Sequence, residues 1–84
     1  MNYSYIIIED QQECVLKLQE ELKNHPEFIC KGIASTVQEG INITLKLKPN
    51  IIFLDVELKN EIGFEIIKET ACFFNEPPFV IVIS

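Results

Sequence analysis

Glu9 and Asp10 stand side by side directly after three isoleucines, Asp55 follows the apolar run Ile51 to Leu54, and Ser84 follows Phe79 to Ile83. An unpaired charge at the end of a buried segment is costly, so these acids need partners. Taken singly, each is an ordinary loop residue or helix cap. Arriving together at the ends of separate apolar runs, they can form one cluster of oxygen ligands. Crowded carboxylates repel and stay ionised only beside a cation. With no histidine or cysteine recognised among the donors, the fitting ion is hard, and Mg²⁺ is expected, completed by a backbone carbonyl just after Asp55 and by water. A carboxylate beside Mg²⁺ can also attack phosphorus, with the Ser84 hydroxyl donating to a phosphoryl oxygen.

The elements that must bring these residues together follow from hydrophobic patterning. Tyr5 to Ile8, Ile51 to Leu54 and Phe79 to Ile83 are continuously apolar, as parallel strands covered on both faces are. The run Phe28 to Ala34 is interrupted by Lys31 and Gly32 and reads as a strand nearer an edge. Between them lie helical stripes. Val15, Leu18 and Leu22 form the first, and Pro26 stops it. Val37, Ile41 and Leu45 form the second, with Ser35 and Gln38 as a capping box, Gly40 as a weak point and Pro49 as the end. The third runs from about Gly63 to Phe74, with Phe64, Ile67, Ala71 and Phe74 on its apolar side. Alternation of strand and helix predicts an α/β fold with right-handed crossovers and a parallel sheet. The acids then share the carboxyl edge, where ligands of open parallel sheets bind.

With 84 residues, 48% of them hydrophobic, the chain holds one domain and a small core. The three cysteines, Cys14, Cys30 and Cys72, are odd in number and lack CxxC spacing, so reduced core thiols and a cytoplasmic setting are expected. Ile6 to Ile8 has no basic flank and is no signal peptide, and no apolar run nears the roughly 20 residues that span a bilayer. A formal charge of -6 disfavours direct nucleic-acid contact. His25, before Pro26, reads as a helix cap, and Phe64, Phe73, Phe74 and Phe79 read as core.

The stretches "IIIED", "IIFLDVELKNEIGFEII" and "FVIVIS" resemble the receiver domain of bacterial two-component response regulators along the whole chain. The resemblance implies a flavodoxin-like, doubly wound sheet of strand order 2-1-3-4. It puts metal binding on Glu9 and Asp10, the phosphoacceptor on Asp55, a metal-binding main-chain carbonyl at Glu57, a family glycine at Gly63 and the phosphoryl hydrogen bond on Ser84. A sensor histidine kinase would be the donor, and an output domain, DNA-binding if the likeness to LytTR-type receivers holds, the recipient. The function implied is signalling with possible self-dephosphorylation, not turnover catalysis.

Two departures stand out. Leu58-Lys59 replaces the family's Met-Pro, and the last helix-strand-helix portion, with its lysine and aromatic switch residue, has no counterpart. The expectation is therefore the N-terminal part of a receiver at 1–84, with an exposed fourth-strand edge prone to dimerisation or swapping and weak or absent phosphorylation of the 84-residue chain. Two other readings compete: an aspartate-based Mg²⁺-dependent phosphohydrolase, in which "DVE" imitates a DxD motif, and a pseudo-receiver that cannot be phosphorylated.

Overall fold

The computed structural model describes residues 1–55, 57–58, 61–62 and 64–83, with side chains at all of these except 57–58, 61–62 and 64. Strand β1 (Tyr3–Ile8), helix α1 (Gln12–Leu22), β2 (Phe28–Ala34), α2 (Val37–Leu47) and β3 (Ile51–Leu54) lead to two short strands, β4 (Glu57–Leu58) and β5 (Glu61–Ile62). Helix α3 (Phe64–Thr70), a 3-10 turn (Ala71–Phe73) and β6 (Phe79–Val82) follow. The main sheet has the order β2-β1-β3-β6, and every pairing in it is parallel. This is the expected 2-1-3-4 arrangement, with β6 as the fourth strand. The β4-β5 ribbon is antiparallel and was not foreseen from the apolar pattern.

Period-two alternation divides the core between the two faces of the sheet. Ile6, Ile8, Ile52 and Leu54 point to one side, where Val37 of α2 and Ile66 of α3 cover them. Tyr5, Ile7, Ile51 and Phe53 point to the other, against Val15, Leu18 and Leu22 of α1. The ring of Tyr5 meets that of Phe53 edge-on, with centroids 5.5 Å apart. That contact is the favoured geometry for an aromatic pair.

Several local expectations change. Helix α2 is capped by Thr36, whose hydroxyl accepts from the Glu39 N–H at 3.1 Å, and not by Ser35 with Gln38. The Glu39 carboxylate accepts from the hydroxyls of both Ser35 and Thr36. The helix turns Val37, Gly40 and Thr44 inward, while Leu45 lies outside the core clusters. Gly40 is needed there, because a Cβ would lie 2.7 Å from Ile66 Cδ1 and 3.1 Å from Ile8 Cδ1.

In α3, Ile66 is the fully buried residue, and the regular helix ends at Thr70, short of Phe74. Phe73 and Phe79 are 59% and 78% exposed, so neither is core. Cys14, Cys30 and Cys72 are free, but the first two are only half-buried and Cys72 is exposed. Phe64's side chain and Gly63 lie outside the described residues. His25 does lie at the end of α1: its N–H donates to the Leu22 carbonyl, and its ring meets Phe28.

Candidate metal and phosphoacceptor site

Backbone pairing carries the ends of the strands to one rim. The Glu9 N–H donates to the Ala34 carbonyl at 2.9 Å, the Asp55 N–H to the Ile8 carbonyl at 2.9 Å, and the Ile83 N–H to the Leu54 carbonyl at 3.0 Å. Each bond extends a strand ladder by one residue beyond the regular strand. The ladders thus set Glu9, Asp55 and Ile83 beside one another, and the buried apolar residues of β1 and β3 beneath them fix the register.

Carboxylate oxygens of Glu9, Asp10 and Asp55 all lie within 4.8 Å of one another. Glu9 is 4% exposed and Asp55 9%, while Asp10 is half-buried. Glu9 Oε2 accepts from the Asp10 N–H at 2.9 Å and from the Gln11 N–H at 3.3 Å, so the turn into α1 is wrapped around this carboxylate. Burial and the neighbouring Asp55 and Asp10 carboxyls nevertheless push the Glu9 pKa from 4.5 up to about 7. The donor set is oxygen throughout, the environment penalises bare negative charge, and both features fit a hard divalent cation.

The sequence-derived residues divide accordingly. Glu9, Asp10 and Asp55 meet. Glu57 lies two residues beyond Asp55 in β4, opposite Ile62, and its side chain is outside the described residues, as is the whole of Ser84. One neighbour was missed. Cys14 lies in the first turn of α1, where burial and the negative charge of Glu9 push its thiol pKa up, and its Sγ reaches Gln11 Oε1 at 3.7 Å.

No family model matches the chain. It is 29% identical over 68 residues to protein-glutamate methylesterase/protein-glutamine glutaminase 1 of Saccharophagus degradans, covering 81% of this chain and 19% of that protein. It is 24% identical over 79 residues to the transcriptional regulatory protein LiaR of Bacillus subtilis, covering 94% and 37%. The sensory transduction protein LytT of Bacillus anthracis is 29% identical over 75 residues, covering 89% and 30%. The chain thus spans well under half the length of these relatives.

Among solved structures, the response regulator domain of Thermotoga maritima CheB superposes with a TM-score of 0.85 at 23% identity, covering 98% of this chain and 60% of that one. The signal receiver domain of a Luxo repressor protein from Vibrio parahaemolyticus gives 0.82 at 20% identity, covering 98% and 61%. Fold and relatives define the class: the chain has the flavodoxin-like receiver fold of two-component response regulators. Among the described residues no helix is long and apolar enough to cross a membrane.

Proposed function

We propose that the chain is the phosphoacceptor module of a two-component phosphorelay, with Asp55 taking a phosphoryl group from a sensor histidine kinase. The observation that carries this reading is the meeting of Glu9, Asp10 and Asp55 at the carboxyl rim of a parallel sheet. Those three carboxylates would hold Mg²⁺, with the Glu57 carbonyl as a further donor. The ion, when bound, supplies positive charge to the transferring phosphoryl oxygens. An Asp55 carboxylate oxygen attacks phosphorus as the bond to the donor nitrogen breaks, and that nitrogen keeps the electron pair. Ser84 is assigned a hydrogen bond to a phosphoryl oxygen. Asp55 is held for this by its own backbone, tied to Ile8 of the central strand.

In this reading the chain is the N-terminal part of a cytoplasmic receiver that switches an attached output domain. LiaR is named a transcriptional regulatory protein and LytT a sensory transduction protein, and these likenesses support a DNA-binding transcriptional output in a LytTR-type setting, while the likeness to a protein-glutamate methylesterase supports a catalytic output as the alternative. The exposed side chains of Phe79, Ile81 and Val82 on β6, at the sheet's edge, support association through that strand.

Acetyl phosphate is the test. For a longer chain that carries the rest of the receiver fold, the expected result is Mg²⁺-dependent gain of one phosphoryl group on Asp55, absent in Asp55→Asn, with beryllofluoride shifting the amide resonances of residues 9, 10 and 55; the 84-residue chain alone should label weakly or not at all. Repeated turnover of a phosphate ester would favour the phosphohydrolase reading. Failure of both reagents to act in the presence of Mg²⁺ would favour the pseudo-receiver.

A further inference from the structure

The rim opposite the acids holds an aromatic groove of about 580 Å³. Volumes of roughly 300–1,000 Å³ are those of small-molecule sites. Tyr3, Phe28 and Phe79, which open β1, β2 and β6, bring their rings to it, and Phe74 joins them from the connection that precedes β6. The Tyr3 and Phe28 rings pack with centroids 5.8 Å apart, while Phe79 is 78% exposed, a large apolar surface left to solvent. Pro49, Pro77 and Pro78 stiffen the walls.

The polar groups of the groove are few and firmly placed. Asn50 Oδ1 accepts from the Ser4 N–H at 2.8 Å and from the Ser4 hydroxyl at 3.2 Å. A backbone N–H can be met only by the amide oxygen, so this pair fixes the orientation of the amide and leaves Nδ2 as a donor with no acceptor among the described residues. Lys48 ends α2 in the left-handed conformation, φ 45°, with its N–H bonded to the Thr44 carbonyl. Among the described residues lining the groove, Lys48 is the one cation and Glu76 the one anion.

We propose that this groove binds small aromatic carboxylates, with the ring among Tyr3, Phe28, Phe74 and Phe79 and the carboxylate accepting from Asn50 Nδ2 and the Lys48 ammonium. Aromatic side chains favour offset or edge-on contact with a further ring, and an ionised acceptor roughly doubles the strength of a hydrogen bond. A guest without an acceptor would bury the Asn50 donor unpaired, and a cationic guest would face Lys48. Glu76 opposes the carboxylate, so its charge holds affinity down. The site needs no metal ion and stands apart from the acids of the carboxyl rim.

Indole-3-acetate is the probe. The chain has no tryptophan, so indole fluorescence anisotropy follows the ligand alone. Saturable binding is expected, with the amide resonances of Tyr3, Phe28, Asn50 and Phe79 shifting and those of Glu9, Asp10 and Asp55 unmoved. Indole-3-acetamide, which keeps the ring and loses the charge, and tryptamine, which reverses the charge, should each bind at least about threefold more weakly, the scale of one exposed charge interaction. Lys48→Gln should weaken indole-3-acetate by a similar factor, and Glu76→Gln should tighten it. Asn50→Asp keeps the oxygen that meets Ser4 while replacing the donor by a charge, and should abolish binding. No saturable binding at millimolar indole-3-acetate, equal or tighter binding of tryptamine, or indifference to both charge substitutions overturns the proposal. Shifts at the same four residues on dilution of the ligand-free chain would assign the groove to a second copy and overturn it as well.

Discussion

The strongest handle on the site is the proton that Glu9 keeps when no cation is present. Its folded-state pKa of about 7 lies above the ordinary 4.5, because burial and the adjacent Asp55 and Asp10 carboxyls oppose its ionisation. Between those two pH values the folded chain binds more proton than the unfolded chain, so stability must fall as pH rises through this window. The contribution is fully present below about 4.5 and gone above about 7. At about 1.4 kcal/mol per pH unit, the full effect is about 3 kcal/mol, a large share of a small domain's stability. Urea midpoints of the metal-free chain, followed by circular dichroism from pH 4.5 to 8, should show the decline. Glu9→Gln keeps an acceptor for the Asp10 N–H and removes the titration, so its profile should be flatter and it should exceed wild type at pH 8. Mg²⁺ at a hundred times its dissociation constant should return about 2.7 kcal/mol to wild type at that pH. If the two metal-free profiles run parallel across this interval, or if wild type grows more stable as pH rises from 5 to 7, the account of crowded acids at the rim is wrong.

Three further outcomes test the scaffold by the same denaturation assay. Gly40→Ala should destabilise by about 1–3 kcal/mol despite the better helix propensity of alanine, because the new methyl meets Ile66 Cδ1 at 2.7 Å and Ile8 on its other side. Thr44→Val should stabilise by about 1 kcal/mol, since the Thr44 hydroxyl is fully buried with no hydrogen-bond partner and valine keeps the shape. Thr36→Ala should cost about 1 kcal/mol by removing the hydroxyl that caps the Glu39 N–H.

Much of this was legible from patterning, and the parts that were not share a cause. The apolar runs of β1 and β3 are fixed by burial, so their carboxyl ends, and with them Glu9, Asp10 and Asp55, fall on one rim by patterning alone, whereas β6 is held by its pairing with β3 although three of its four side chains are exposed. Helix faces were harder. Leu45 looked inward because it continues the spacing of Val37 and Ile41, yet the inward positions are taken by Gly40 and Thr44. A close approach of α2 to β1 and α3 selects small side chains there, and hydrophobicity does not report that. Phe73 and Phe79 failed for the opposite reason: large apolar side chains mark core only where another layer covers them, and β6 has neighbours on one edge alone. The join of Ser4 to Asn50 at the opposite rim, where Asn50 Oδ1 accepts from the Ser4 N–H at 2.8 Å, spans residues 46 apart and leaves no local signature.

The same register that makes the fold readable also makes the site strained without a cation. Strand pairing through the Ala34, Ile8 and Leu54 carbonyls leaves Glu9 and Asp55 no freedom to separate along the rim, because a slip of one residue would turn every core side chain of that strand to the wrong face. Relief must therefore come from a proton or from a bound ion, and the two compete for the same oxygens. A receiver built in this way couples occupancy of its rim to the stability of its central strands. Relaxing the register of β1 or β3 should accordingly weaken cation binding even with all three acids intact.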